Sequence, residues 1–218
     1  MSAPGTAPAS APVSASPARV LAISGSLRAR SDNTRLLAAL PALAPAGMCF
    51  DVYPTLGELP LYNQDLDVHP ELPAVRRWRT AIRRADGLVI ATPEYNHSIP
   101  GVLKNAVDWA SRPRGDASLS GKGIAVMVVT ASRLHGFRGL TDTVRILAGL
   151  GNLVVPHPEV VVGGAPDALT GGPDGSVRPA DPRVAALIRA QLQALSDVIH
   201  TGAAGAALAA PTRHRRTG

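Results

Sequence analysis

Two uninterrupted apolar runs constrain this chain most: Leu88-Val89-Ile90-Ala91 and Ile124-Ala125-Val126-Met127-Val128-Val129-Thr130. Neither alternates with polar residues, so neither reads as a strand with one face in water. Continuous β-branched runs of this length suit strands covered on both faces, as in a parallel sheet flanked by helices. Shorter apolar segments at 19–24 and 48–53 supply two more strands, and 153–155 with 160–162 supply a fifth, interrupted around Pro156 and Pro158. Between them lie stretches with helical spacing: Leu36, Leu37 and Leu40; Val75, Trp78 and Ile82; Leu103, Ala106 and Val107; Leu140, Val144 and Leu147; Ile188, Leu192 and Leu195. Strand and helix alternate throughout, so the expected class is α/β, a five-stranded doubly wound parallel sheet with helices on both faces.

A chain of 218 residues is long enough for one domain with a large core. Aromatic residues are only 3%, so that core has to come from Leu, Val, Ile and Ala. Residues 1–18 are Ala-, Pro- and Ser-rich, without a basic start or a continuous apolar segment, and read as a disordered extension rather than a signal peptide. The domain is expected over 19–200, with a flexible basic tail at 201–218. Arg213, Arg215 and Arg216 in that tail supply three of the net +6 charges. The remainder is too mild for a nucleic-acid binder, which concentrates basic residues in a stripe interleaved with aromatics. The nearest cluster, Arg76, Arg77, Arg79, Arg83 and Arg84, flanks Val75, Trp78 and Ile82 and is expected to be a solvated helix face. Cys49 is the single cysteine, expected buried in a strand, and it rules out an internal disulfide. His69, His97, His135 and His157 lack metal-ligand spacing. No apolar run approaches the length of a membrane span. The expectation is a soluble cytoplasmic protein without bound metal that engages neither nucleic acid nor membrane.

Sheets of this kind bind ligands beyond the carboxyl ends of their strands. The loops after the first, third and fourth strands should therefore converge. The first carries Ser24, Ser26, Arg28, Ser31, Asn33 and Thr34 ahead of a helix. Hydroxyls, an amide, a guanidinium and the amides of a helix start together suit one phosphate monoester. Gly25 is its only glycine, and the chain has no G-x-G-x-x-G there, no phosphate-binding G-x-x-x-x-G-K-[ST] and no G-x-S-x-G elbow. A mononucleotide is thus favoured over a dinucleotide, although any one of Ser24, Ser31 or Asn33 alone also suits turn or helix-cap duty. After the third strand, Pro93-Glu94-Tyr95-Asn96 offers backbone donors and acceptors, an aromatic edge and an amide, which suit a planar heteroaromatic ring. The proline-rich connection at 54–70 is long enough to suggest a functional loop.

Three blocks carry a family resemblance: Gly25-Ser26-Leu27-Arg28 with Ser31 and Asn33; Leu59-Pro60-Leu61-Tyr62-Asn63-Gln64-Asp65-Leu66; and the run from Pro93-Glu94-Tyr95-Asn96-His97-Ser98-Ile99-Pro100-Gly101 to Trp109. They resemble the NAD(P)H-dependent FMN reductase family, which includes quinone, chromate and azo-dye reductases. The resemblance implies a flavodoxin-like sheet in the order 2-1-3-4-5 and a bound FMN. Its phosphate would sit on Ser26, Arg28, Ser31 and Asn33, beside Ser24 and Thr34. Its ring would lie along Pro93, Glu94, Tyr95 and Asn96, with Ser132 on a third contacting loop. NADPH or NADH would be the co-substrate, a quinone, free flavin or similar small molecule the acceptor, and turnover ping-pong without a protein acid or base. It also implies homodimers or dimers of dimers formed through the helix after the third strand and the long loop, with Asn63, Asp65, Lys104 and Trp109 at the interface or pocket rim. Many relatives follow the serine with two glycines; here the run is Ser132-Arg133-Leu134-His135-Gly136, which is bulkier. Two other readings stay open at this point. One is a flavodoxin-type electron carrier, though carriers are generally acidic; the other is a regulatory module that has lost its flavin.

Overall fold

A computed structural model describes residues 16–68, 71–132 and 136–209. Its sheet contains β1 (Ala18–Ser24), β2 (Met48–Val52), β3 (Gly87–Thr92), β4 (Gly123–Thr130) and β5 (Leu153–Val154), all parallel and in the order β2-β1-β3-β4-β5. The flavodoxin-like order expected from the resemblance is therefore present. The helices are α1 (Asp32–Ala39), α2 (Pro73–Arg84), α3 (Gly101–Ala110), α4 (Phe137–Gly149), α5 (Pro182–Thr201) and α6 (Ala203–Ala209).

Every residue of β3 is buried, as its unbroken apolar run requires. Successive side chains leave the sheet on opposite faces. Leu21, Ile23, Leu88, Ile90 and Ile124 join Trp78, Leu103 and Leu147 on one side, whereas Val20, Ala22, Val89, Ala91 and Met127 join Leu36, Leu37, Ile188 and Leu192 on the other. The loops that follow β1, β3 and β4 at their carboxyl ends line one common cleft.

Five local features differ from the sequence expectations. The outer strand is two separate pieces, β5 and β6 (Val160–Gly163), paired with β4 at residues 123–124 and 127–130. Pro156 and Pro158 cannot donate ladder bonds. Across the gap, Gln191 Nε2 on α5 donates to the carbonyls of Val126 at 3.1 Å and Pro158 at 3.0 Å. Second, the expected loop before α5 contains an antiparallel hairpin, β7 (Leu169–Gly171) and β8 (Val177–Pro179), turned by Gly172 to Ser176. Third, α6 occupies the start of the expected loose tail; Arg213, Arg215 and Arg216 lie outside the described residues, as do residues 1–15.

The fourth correction concerns Arg79, which is buried rather than solvated. It sits at the inward helical positions with Val75, Trp78 and Ile82. Its Nε donates to the Trp109 carbonyl at 3.0 Å, Nη2 pairs with Asp67 at 2.8 Å, and Nη1 pairs with Glu71. Two carboxylates and a carbonyl thus replace the water this guanidinium gave up. Fifth, Cys49 is exposed, because β2 is an edge strand with most of its residues open to solvent.

The long loop before α2 is held from α3. Asn105 accepts from the Tyr62 amide at 2.7 Å and donates to the Pro60 carbonyl at 2.9 Å, and Trp109 Nε1 donates to the same carbonyl at 2.8 Å. Trp109 is completely buried, so it belongs to the core rather than a rim. Asn63 accepts from the Asp65 amide within the loop, while Lys104 pairs with Asp108 along the helix.

Candidate active site

At the carboxyl ends of β1, β3 and β4 lies a cleft of about 1010 Å³, at the upper end of the roughly 300–1,000 Å³ usual for small-molecule sites. Ser26, Arg28, Asn33, Pro93, Glu94 and Tyr95 line it, with Ala29, Arg30, Asp32 and Arg35 from the same end of α1. Val129, Thr130 and Ala131 close its floor, and Ala165 and Pro166 form a fourth wall, which the convergence of three loops did not foretell. Ser24, Ser31, Thr34, Asn96 and Ser132 are not among the lining residues.

The loop after β1 is tied by its own hydroxyls. Thr34 Oγ1 donates to Ser24 Oγ at 2.9 Å, the Ser26 amide donates to Ser24 Oγ at 3.3 Å, and the Arg28 amide to Ser26 Oγ at 3.4 Å. Ser31 caps α1, accepting from the Thr34 amide at 3.3 Å. The amides of Asp32 and Asn33, in the first turn, have no intrahelical acceptor by the geometry of a helix start and are available to an anion. A Cβ on Gly25 would come within 2.5 Å of Thr92 Oγ1, so this glycine lets the loop lie against the end of β3. Three arginines, Arg28, Arg30 and Arg35, share this part of the cleft with the Asp32 carboxylate, which is largely buried.

Asn33 does different work from that expected. Its Nδ2 donates to the Val129 carbonyl at 3.3 Å and its Oδ1 accepts from the Val129 amide at 3.2 Å, so the side chain fastens α1 to β4. Only its backbone amide is left for a phosphate.

The loop after β3 makes a tight reversal. Asn96 and His97 both have positive φ, 49° and 66°, and Tyr95 and Ser98 exchange backbone hydrogen bonds of 3.1 Å. This is the pattern of a type I′ turn. It leaves Tyr95 half exposed at the cleft and carries Asn96 away from it. The Glu94 carboxylate points into the protein instead of at a ligand: Oε2 accepts from the amides of Gly136 and Gly139, each at 3.0 Å. Gly136 caps α4 without a side chain of its own, so Glu94 acts as that helix's cap from another loop. Burial pushes the carboxyl up, but the amides of Gly139, Gly136 and Arg138 and nearby His97 outweigh burial and hold it below the ordinary range. Ser98 Oγ donates to Asp142 Oδ2 at 2.6 Å, and Arg138 Nη1 lies 2.7 Å from His97 Nδ1. The loop after β3 and the start of α4 therefore form one unit. Sequence spacing hid this link, although Gly136 and Gly139, three apart at a helix start, were its visible trace.

On the third loop, the Ser132 amide donates to Thr130 Oγ1 at 3.3 Å beside the lining Ala131. Arg133, Leu134 and His135 lie outside the described residues, as does His69. Against this cleft opens a shallower hollow of about 440 Å³, lined by Leu27, Arg28, Tyr95, Pro100, Gly101 and Val102.

The donor set fits a flavin mononucleotide. First-turn amides, the Ser26 hydroxyl and Arg28 suit a terminal phosphate. The backbone from Pro93 to Tyr95, fixed from behind by Glu94, offers a rigid edge to a flat heterocycle. Where the loop after β1 meets the end of β3, Thr92 leaves no room for a side chain at Gly25.

Comparison with known proteins agrees with this geometry. The family model described as NADPH-dependent FMN reductase matches residues 18–167. The chain is 42% identical over 177 residues to an NAD(P)H-dependent FMN reductase of Pseudomonas aeruginosa, covering 81% of this chain and 92% of that one. It is 39% identical over 146 residues to a quinone reductase of Escherichia coli, covering 66% and 77%. Among solved structures, the flavoenzyme NAD(P)H:(acceptor) oxidoreductase FerB of Paracoccus denitrificans superimposes with a TM-score of 0.75 at 31% identity, over 85% of this chain and 98% of that one.

Proposed function

Because the chain belongs to the NADPH-dependent FMN reductase family, and is a flavin-dependent NAD(P)H oxidoreductase, we propose that the cleft at the ends of β1, β3 and β4 holds FMN and serves reduction of a quinone, free flavin or similar small acceptor. What supports this reading is that the hydroxyl- and arginine-bearing loop after β1 and the Pro93 to Tyr95 segment line one cleft. FMN, when bound, supplies two-electron hydride chemistry that no amino-acid side chain offers.

The protein's share is binding and orientation. Ser26, Arg28 and the first-turn amides of α1 hold the phosphate, and Ser24, Ser31 and Thr34 keep that loop in shape. Asn33 locks it to β4. Backbone groups of Pro93, Glu94 and Tyr95 face the ring, with Asn96 and Ser132 at the margins. No side chain is assigned as an acid or base. The hollow walled by Leu27, Tyr95, Pro100 and Val102 is apolar and adjoins the cleft, which suits a planar acceptor; the likeness to quinone reductases supports the same substrate class.

The working unit in this reading is a homodimer or dimer of dimers. Leu61, 83% exposed, and Val68, 59% exposed, lie on the long loop and are apolar groups that a second copy would cover. Among the described residues no helix is long and apolar enough to cross a membrane.

Absorption spectroscopy of the purified protein tests the reading. A yellow protein that bleaches anaerobically with NADPH and regains colour with a quinone is expected. A colourless protein that FMN cannot reconstitute overturns it, and slow NADPH reduction with fast one-electron cycling favours the carrier instead.

A further inference from the structure

Arg28 is the natural counter-charge for the cofactor phosphate, yet its side chain is 63% exposed and would have many rotamers if left alone. It is not left alone. Nη2 of Arg28 lies 3.1 Å from Asp32 Oδ2, and the other oxygen of that carboxylate, Oδ1, lies 3.0 Å from Arg35 Nη1. Arg35 is in turn anchored on backbone: Nη2 donates to the Leu169 carbonyl at 2.8 Å, and Nη1 reaches the Pro166 carbonyl at 3.5 Å. Leu169 begins the β7–β8 hairpin, and Pro166 is part of the cleft wall. A chain of contacts thus runs from hairpin backbone through Arg35 and Asp32 to Arg28.

This arrangement resolves an electrostatic difficulty. Asp32 stands at the α1 N-terminus, where it suits the helix dipole but faces the same space as an incoming phosphate. Unpaired, it would repel that anion. Arg35 neutralises it and holds it in the one orientation that keeps Arg28 at the cleft.

We propose that Arg35 is a positioning residue: anchored on the carbonyls of Pro166 and Leu169, it sets Asp32 and, through it, the Arg28 guanidinium, so that the hairpin controls the phosphate-dependent part of flavin affinity. This rests on the reading that the cleft holds FMN. It assigns a task to a segment starting two residues beyond the end of the family match.

Riboflavin, which lacks the phosphate, is the discriminating probe. The full chain, stripped of flavin, is titrated with FMN and with riboflavin, following quenching of flavin fluorescence. Arg35→Met is expected to weaken FMN binding roughly five- to twentyfold and leave riboflavin binding unchanged. Arg28→Met combined with Arg35→Met should lose no more than Arg28→Met alone, since both act on one contact. Arg35→Lys, which keeps the charge but cannot span Asp32 and both carbonyls, should give an intermediate loss for FMN only, and it carries the test if the methionine variant does not fold. Equal loss for both ligands overturns the proposal, as do additive losses in the double variant. A wild-type chain that binds neither flavin overturns the cofactor reading itself, and the proposal with it.

Discussion

Glu94 and Gly139 are in such close contact that a Cβ on the glycine would stand 3.1 Å from Glu94 Cβ and 3.2 Å from Glu94 Cα. One of those atoms is backbone of the loop after β3, so it cannot swing aside like a side-chain tip. Gly139→Ala is expected to shift that loop by a few tenths of an ångström and cost about 1–3 kcal/mol of stability, the usual range for overpacking. If FMN binds as proposed, flavin titration should show FMN and riboflavin weakened together, because Pro93 to Tyr95 are assigned to the ring and not to the phosphate.

The Glu94 carboxyl adds a pH dependence. It titrates lower in the folded chain than in the unfolded one, so the folded chain binds fewer protons as pH falls. Its contribution is complete above the ordinary glutamate value of 4.5 and is lost as pH drops through the lower folded value. Urea midpoints measured between pH 7 and pH 3 should fall more steeply for the wild type than for Glu94→Gln at the acid end. Parallel curves would sink the assignment.

Asn33 joins α1 to the Val129 backbone through both ends of its amide. Asn33→Ala leaves a buried donor and acceptor without partners, and should cost about 2–4 kcal/mol. The loss is expected in the flavin-free chain by denaturant titration. Unchanged stability without flavin would instead mark Asn33 as a ligand contact only.

Arg79 and Arg83 share a helix and differ in burial. Removing Arg79 takes the buried guanidinium from Glu71 and leaves Asp67 only Arg112, whose Nε lies at 3.4 Å, and Arg79→Ala is expected to destabilise by about 3–5 kcal/mol. Arg83 and its partner Asp116 are exposed, and Arg83→Ala should change stability by less than about 1 kcal/mol. Comparing the two midpoints checks whether the network is structural.

Leu61 reports on assembly. If two copies meet on the long loop, Leu61→Asp should lower the mass measured by light scattering to that of one chain, without altering the far-ultraviolet circular dichroism. An unchanged mass places the interface elsewhere.

The sheet and the convergence of its loops were legible because unbroken apolar runs such as Leu88 to Ala91 admit few other placements. The loop after β1 was legible as a polar turn running into a helix start, and it does line the cleft. Asn33 and Glu94 carry the polar groups expected at a ligand, but distant backbone claims them: the amides and carbonyl of residues 129, 136 and 139. The charge of Arg79 argues for solvent, whereas its position argues for the core, since 75, 78, 79 and 82 share the helical spacing of an inward stripe. The Arg35 anchor joins residues more than 130 positions apart, a pairing that local spacing cannot reveal.

The broken outer strand has a consequence for life at high concentration. An intact strand at that border would present an even row of amides and carbonyls, a template on which another chain could add itself. Here the border consists of two and four residues with Pro156 and Pro158 between them, and Gln191 reaches in to occupy the Val126 carbonyl that the gap exposes. The sheet thus ends in a frayed margin that offers an incoming strand no continuous register to copy.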